Sequence, residues 1–144
     1  MSLCTDKFFY RALKADTAIM NATGGRIFNP ARTTADEKED RIPYIVITLD
    51  DVDNQSENKD DIEGMTDKVV ITILCVAKDR EALADMTEAV RKQCREYLYA
   101  MEESDEDGAE LTPLDWHFRA SGVEYDKDKP CVYQALYYEC DTNR

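Results

Sequence analysis

The chain has one histidine, and it contains no C-x-x-C, no G-x-S-x-G and no H-E-x-x-H. Nucleophilic catalysis needs a base poised near neutrality, and His117 is the sole histidine that could supply one. Cys75, Cys94 and Cys131 are the thiols that could serve as its nucleophile. Cys94 falls on an apolar helical stripe and Cys75 in mid-strand, where free cysteine behaves as a small hydrophobe. His117 is expected on a strand, facing away from Trp116 and Phe118, as an ordinary sheet-face histidine. No catalytic residue and no cofactor is assigned.

Positive charge is also scarce: 18 Lys+Arg stand against 31 Asp+Glu, a formal net charge of -13. Proteins that grip phosphate backbones do so with Lys and Arg, so tight nucleic-acid binding is excluded as an expectation. Gly24-Gly25-Arg26 is followed by neither Lys-Ser/Thr nor a helix, so it matches no phosphate-cradling loop; a helix stop before a strand explains it. The longest apolar run, Val69–Ala77, has nine residues, against the ~20 that span a bilayer. The start of the chain mixes charges into every turn and shows no apolar signal region. Five widely spaced cysteines, Cys4, Cys75, Cys94, Cys131 and Cys140, are unlike a disulfide framework. A reduced, cytosolic protein without membrane contact is expected.

What is present is enough for a core. The 144 residues are 43% hydrophobic and 34% charged, which suits one domain spanning 1–144. Phe8, Phe9, Ala12 and Leu13 predict a short amphipathic helix over Leu3–Ala15. Asp16 is placed to cap a second, ending near Asn21 or Ala22 at Gly24-Gly25. An extended stretch, Arg26–Asn29, precedes Pro30. Tyr44–Leu49 and Lys68–Lys78 are apolar on both faces and read as strands well inside a sheet, paired as an antiparallel hairpin. Asp79 caps the clearest helix, in which Leu83, Met86, Val90, Cys94, Tyr97, Leu98 and Met101 form one stripe. Asp115–Tyr125 and Cys131–Cys140 flank a turn and predict a last hairpin, with Val132, Gln134, Leu136, Tyr138 and Cys140 on one face. The order predicts an α+β fold: an antiparallel sheet of about four to five strands, with one long and two short helices on one face.

Two acidic segments stand out, 50–67 with eight acids and 102–110 with six; the rest of the chain is formally neutral. Both read as solvated loops. Asp51, Asp53, Gln55 and Glu57 alternate like the start of a calcium loop, but Ser56 stands where its glycine belongs and Ile62 where its glutamate belongs. No metal site is assigned. Acids at 102–110 oppose the dipole of the preceding helix, so helix stability does not account for them. Tyr97, Tyr99, Tyr125, Tyr133, Tyr137 and Tyr138 lie on the long helix or last hairpin; without positive charge beside them they read as core and subunit contact.

Two short helices, Gly24-Gly25-Arg26-Ile27-Phe28 and Ile42-Pro43-Tyr44-Ile45-Val46-Ile47 resemble the tail-completion proteins of long-tailed phages and prophages, also termed tail-to-head joining or tail-terminator-like. The resemblance continues as an order of elements through Val69–Ala77, the helix Arg80–Met101 and the final hairpin; the acidic segments depart from it. It implies a non-enzymatic virion protein that assembles in the bacterial cytoplasm into a homo-oligomeric ring, commonly sixfold, and caps the tail tube. Its implied partners are itself, the tail tube and head-connector proteins. The acids Asp50, Asp51, Asp53, Asp60, Asp61, Glu102, Glu103, Asp105, Glu106 and Asp107 are then expected to face the lumen, where they would repel DNA, or a partner. Strong net charge implies assembly that tightens with added salt. The alternatives are an acidic inhibitor that mimics DNA and a carboxylate-metal enzyme.

Overall fold

The computed structural model describes residues 5–29, 42–54, 66–102 and 113–143. Two short helices open the chain, α1 (Thr5–Lys14) and α2 (Thr17–Thr23), followed by the two-residue strand β1 (Ile27–Phe28). Asp16 caps α2 as expected, its Oδ2 accepting from the Ile19 N–H at 3.3 Å. Gly24 ends the helix in the left-handed region at φ 62°. It is this backbone conformation that calls for glycine, since a methyl group there would meet only the movable end of the Arg26 side chain. Arg26 ties the turn to the next strand: its Nε donates to the Pro43 carbonyl at 3.0 Å, and its own carbonyl accepts from Ile45 N–H at 3.0 Å.

Among the described residues the sheet has six strands. β2 (Tyr44–Asn54) and β3 (Thr66–Ala77) form the expected hairpin. Then comes the long helix α3 (Arg80–Glu102), whose first turn is capped by Asp79 Oδ1 accepting from Ala82 N–H at 2.8 Å. The last hairpin is β4 (Pro113–Ala120), β5 (Glu124–Asp126) and β6 (Cys131–Asn143). The order is β1-β2-β3-β6-β4, with β5 also on β6. β1 runs parallel to β2 and every other pairing is antiparallel. The α+β class, the largely antiparallel sheet and the three helices are those expected.

Two boundaries differ. The strand expected to end at Leu49 runs on through Asn54, paired to β3 beyond a bulge at Asp50. Asp50, Asp51 and Asp53 thus belong to a strand and not to a solvated loop; a strand end whose outer face is open to solvent tolerates them. The first arm of the last hairpin is broken at Ser121–Val123. There Ser121 repairs the ladder: its N–H donates to the Ala135 carbonyl at 2.9 Å, and its Oγ accepts from Ala135 N–H at 3.0 Å.

The core lies on one side of the sheet. Ile45, Ile47, Val69, Ile71, Ile73, Cys75, Leu136, Tyr138 and Cys140 face Phe9, Leu13, Ile19, Leu83, Val90, Cys94 and Leu98 of the helices. Phe8 packs edge-on against Tyr97 at 6.1 Å between centroids, and Gln93 Nε2 donates to the Ala12 carbonyl at 2.9 Å. These contacts clamp α1 to α3. Full burial of each large aliphatic side chain contributes roughly 1.5–3 kcal/mol, so this single layer of contacts dominates stability.

Candidate interaction surface

No described helix packs on the other face of the sheet. Register assigns it Tyr44, Val46 and Thr48 of β2, Val70, Thr72, Leu74 and Val76 of β3, and Tyr133, Ala135 and Tyr137 of β6. All but Val76 are half-buried. Phe28 joins them from β1, its ring 6.3 Å from that of Tyr44.

This face is graded along the strands. The end holding Tyr44, Val76 and Tyr133 is apolar apart from Glu124, which pairs with Tyr133 across β5 and β6. The opposite end carries Asp51 and Asp53 from β2 and Glu139 and Asp141 from β6. Asp50 adds a fifth carboxylate at the bulge, accepting from the Thr72 hydroxyl. Against these stand Lys68, in register between Asp53 and Asp141, and Arg119, stacked on Tyr137 at 4.3 Å. At the apolar end the Tyr133 hydroxyl donates to Glu124 at 2.6 Å. That bond holds the phenol protonated and raises its pKa.

The helix layer is graded too. Ala18 and Ala22 of α2, Ala82, Met86 and Ala89 of α3 and Pro43 line a groove of about 440 Å³, with Lys78, Asp79 and Asp85 also on its wall. Farther along α3, past Asp85 and Glu88, Arg91, Lys92 and Arg95 are exposed with Glu96 beside them, and Arg91 stacks over Phe118 at 4.3 Å. These cations lie in the middle of the helix, whose last turn holds no basic residue.

Chemistry is less in evidence. His117 lies on β4, exposed, on the open face opposite Glu139, and Trp116 and Phe118 point to the core side, as expected. Among the described residues no free thiol is exposed beside it, and Cys75 and Cys94 are buried in the core. Burial pushes the Cys75 thiol up to about 12 and raises Cys94 further, so neither supplies a thiolate near neutrality. Cys131, also buried, is raised in the same way by desolvation and then by Asp126. Among the described residues no three His, Cys, Asp or Glu side chains are grouped to hold a metal, and no helix is long and apolar enough to cross a membrane.

Of the acids singled out in the sequence, the structure brings together Asp50, Asp51 and Asp53, while Glu102 closes α3. Asp60, Asp61, Glu103, Asp105, Glu106 and Asp107 lie outside the described residues, as do Gln55, Ser56, Glu57, Ile62 and Cys4. Glu139, Asp141 and Lys68, and the small residues of the groove, carried no signal when read alone. Their only sequence mark is the polar half of an alternating strand and the spacing Ala82–Met86–Ala89. Of the tyrosines, Tyr138 is core, Tyr97 packs on Phe8, and Tyr133 and Tyr137 occupy the open face; Tyr99 and Tyr125 are 53% and 63% exposed.

A virion chain shares this fold. A chain of the solved structure "Virion of native gene transfer agent (GTA) particle" superposes with a TM-score of 0.56, covering 94% of this chain and 92% of that one at 13% identity. Identity at that level makes the likeness one of fold. No family model and no curated protein matches the chain.

Proposed function

We propose that the protein is a non-enzymatic structural subunit of a phage or phage-like particle, forming a ring at the junction of tail and head that closes the tail tube. The observation that carries this reading is the likeness to a virion chain over nearly the whole length of both chains. A second supports it: one end of the open sheet face carries Tyr44, Leu74, Val76 and Tyr133, yet the described helices cover only the other face. A subunit of a closed assembly has reason to keep such a surface for a neighbour. The acidic segments 50–67 and 102–110 then face the lumen or a partner, and the tail tube and head connector are the partners on either side.

Sedimentation velocity over a concentration series, with negative-stain imaging, tests the ring. Closed particles of one size, commonly six copies, are expected; a chain that stays monomeric with self-association weaker than about 1 mM overturns it. An antibody to the chain should label purified particles at the head-proximal end of the tail. Label along the tube or over the capsid wall would overturn the junction.

A further inference from the structure

We infer that the ring contact is made by the open sheet face of one copy seated on the helix layer of the next. This rests on the ring reading above and specifies its surfaces. Both surfaces are graded along the strand direction. On the sheet, Tyr44, Leu74, Val76 and Tyr133 give way to Asp51, Asp53, Glu139 and Asp141. On the helix layer, the alanine groove around Ala82, Met86 and Ala89, edged by Lys78, Asp79 and Asp85, gives way past Glu88 to the three cations Arg91, Lys92 and Arg95.

The gradients run the same way. α3 starts where β3 ends, at Ala77, and its far half reaches the other end of the sheet, where Tyr99 packs edge-on against Trp116 at 5.9 Å. The groove therefore lies at the level of Tyr44 and Val76, and the cations at the level of the carboxylates. Two copies stacked face to back and pointing in the same direction match apolar to apolar and acid to base at once. Keeping that direction is what rotation about a ring axis parallel to the strands requires.

Other contacts match less well. Two sheet faces related by a twofold axis along the strands set carboxylates on carboxylates. A twofold axis across the strands sets carboxylates on Leu74 and Val76. Size also fits: β2, β3 and β6, with 11, 12 and 13 residues, and the 8-residue β4 present about 700 Å² at ~3.4 Å per residue and ~4.8 Å per strand, near the ~800 Å² per partner of a standard interface. The tyrosines of the sheet supply large knobs, and the alanines of the groove supply the hollow.

Charge exchange tests the inference in the full chain. One variant reverses the sheet face (Asp51→Lys with Glu139→Lys) and the other the helix layer (Lys92→Glu with Arg95→Glu). Each alone should lose at least tenfold in self-association by sedimentation. Mixed in equal amounts they should assemble again, because native meets native at one contact and reversed meets reversed at the next. Ala82→Trp, which fills the groove from an exposed position, should block assembly without any change of charge, and far-ultraviolet circular dichroism should show all three variants folded. Wild-type rings with variants that assemble unchanged, or a mixture that stays dissociated, overturn this contact and leave the ring reading intact. Loss confined to the sheet-face variant would point to paired sheet faces and overturn it as well. A wild-type chain that never forms rings removes the ring reading, and this contact with it.

Discussion

Tyr138 is the residue under most tension in the core. It is buried among Phe9, Trp116 and Phe118, and its hydroxyl makes no hydrogen bond of normal geometry among the described residues, having beside it only the weakly bonding Cys94 thiol. A buried hydroxyl without a partner costs about 1–3 kcal/mol in lost hydration. Tyr138→Phe should therefore be neutral or stabilising by about 1 kcal/mol, read as the midpoint of urea unfolding; a clear loss would mean that the hydroxyl has a partner in solution. The thiols beside it set an alkaline limit. Cys75 is held at about 12 against 9.0 for the free group by desolvation, and Cys94 is raised further. A raised acid keeps its proton in the native state while the unfolded chain gives it up. Stability is thus complete below pH ~9 and falls between ~9 and ~12 by about 1.4 kcal/mol per pH unit for each such group. Urea midpoints across that range should fall less steeply in Cys75→Ala than in the wild type.

At the scale of elements, helices announced themselves and strand ends did not. Asp16, Gly24 and Asp79 are caps whose chemistry is local, so the positions that bound α2 and start α3 could be read directly. The end of β2 was hidden because alternation slips there: Leu49 and Val52 both face the core, with the extra residue of the bulge between them. Read as a plain alternating strand, Val52 falls on the outer face among acids and the pattern resembles a loop. The gap between β4 and β5 was hidden for a related reason, since a serine side chain stands in for backbone and no periodicity records that. Removing Asp50 should restore a regular ladder while every later side chain keeps its face. Its deletion should cost less than about 1 kcal/mol, whereas deleting Thr48 turns the half-buried Leu49 outward and Asp50 toward the core and should cost about 2 kcal/mol or more. Chemical unfolding of the two deletions compares them directly.

For the molecule as a whole, charge acts at two ranges. Copies carrying -13 each repel at a distance, while the contact inferred above pairs opposite charges. Screening removes the long-range term first, the Debye length being ~30 Å at 0.01 M salt, ~8 Å at 0.15 M and ~3 Å at 1 M. Association should strengthen up to about 0.15 M salt and weaken again toward 1 M; a monotonic fall from the lowest salt would mean that net charge does not oppose assembly. The sequence told that both faces of β2 and β3 are apolar, but periodicity cannot say which of the two faces the chain covers with its own helices. That uncovered face has a thermodynamic consequence. Part of what stabilises this fold is then supplied by a second molecule, so its melting temperature is not a property of the single chain. Association confined to the folded state adds RT ln(1 + [L]/Kd), with the neighbouring copy as ligand. Scanning calorimetry should find a melting temperature that climbs with protein concentration in the wild type and stays flat in Ala82→Trp.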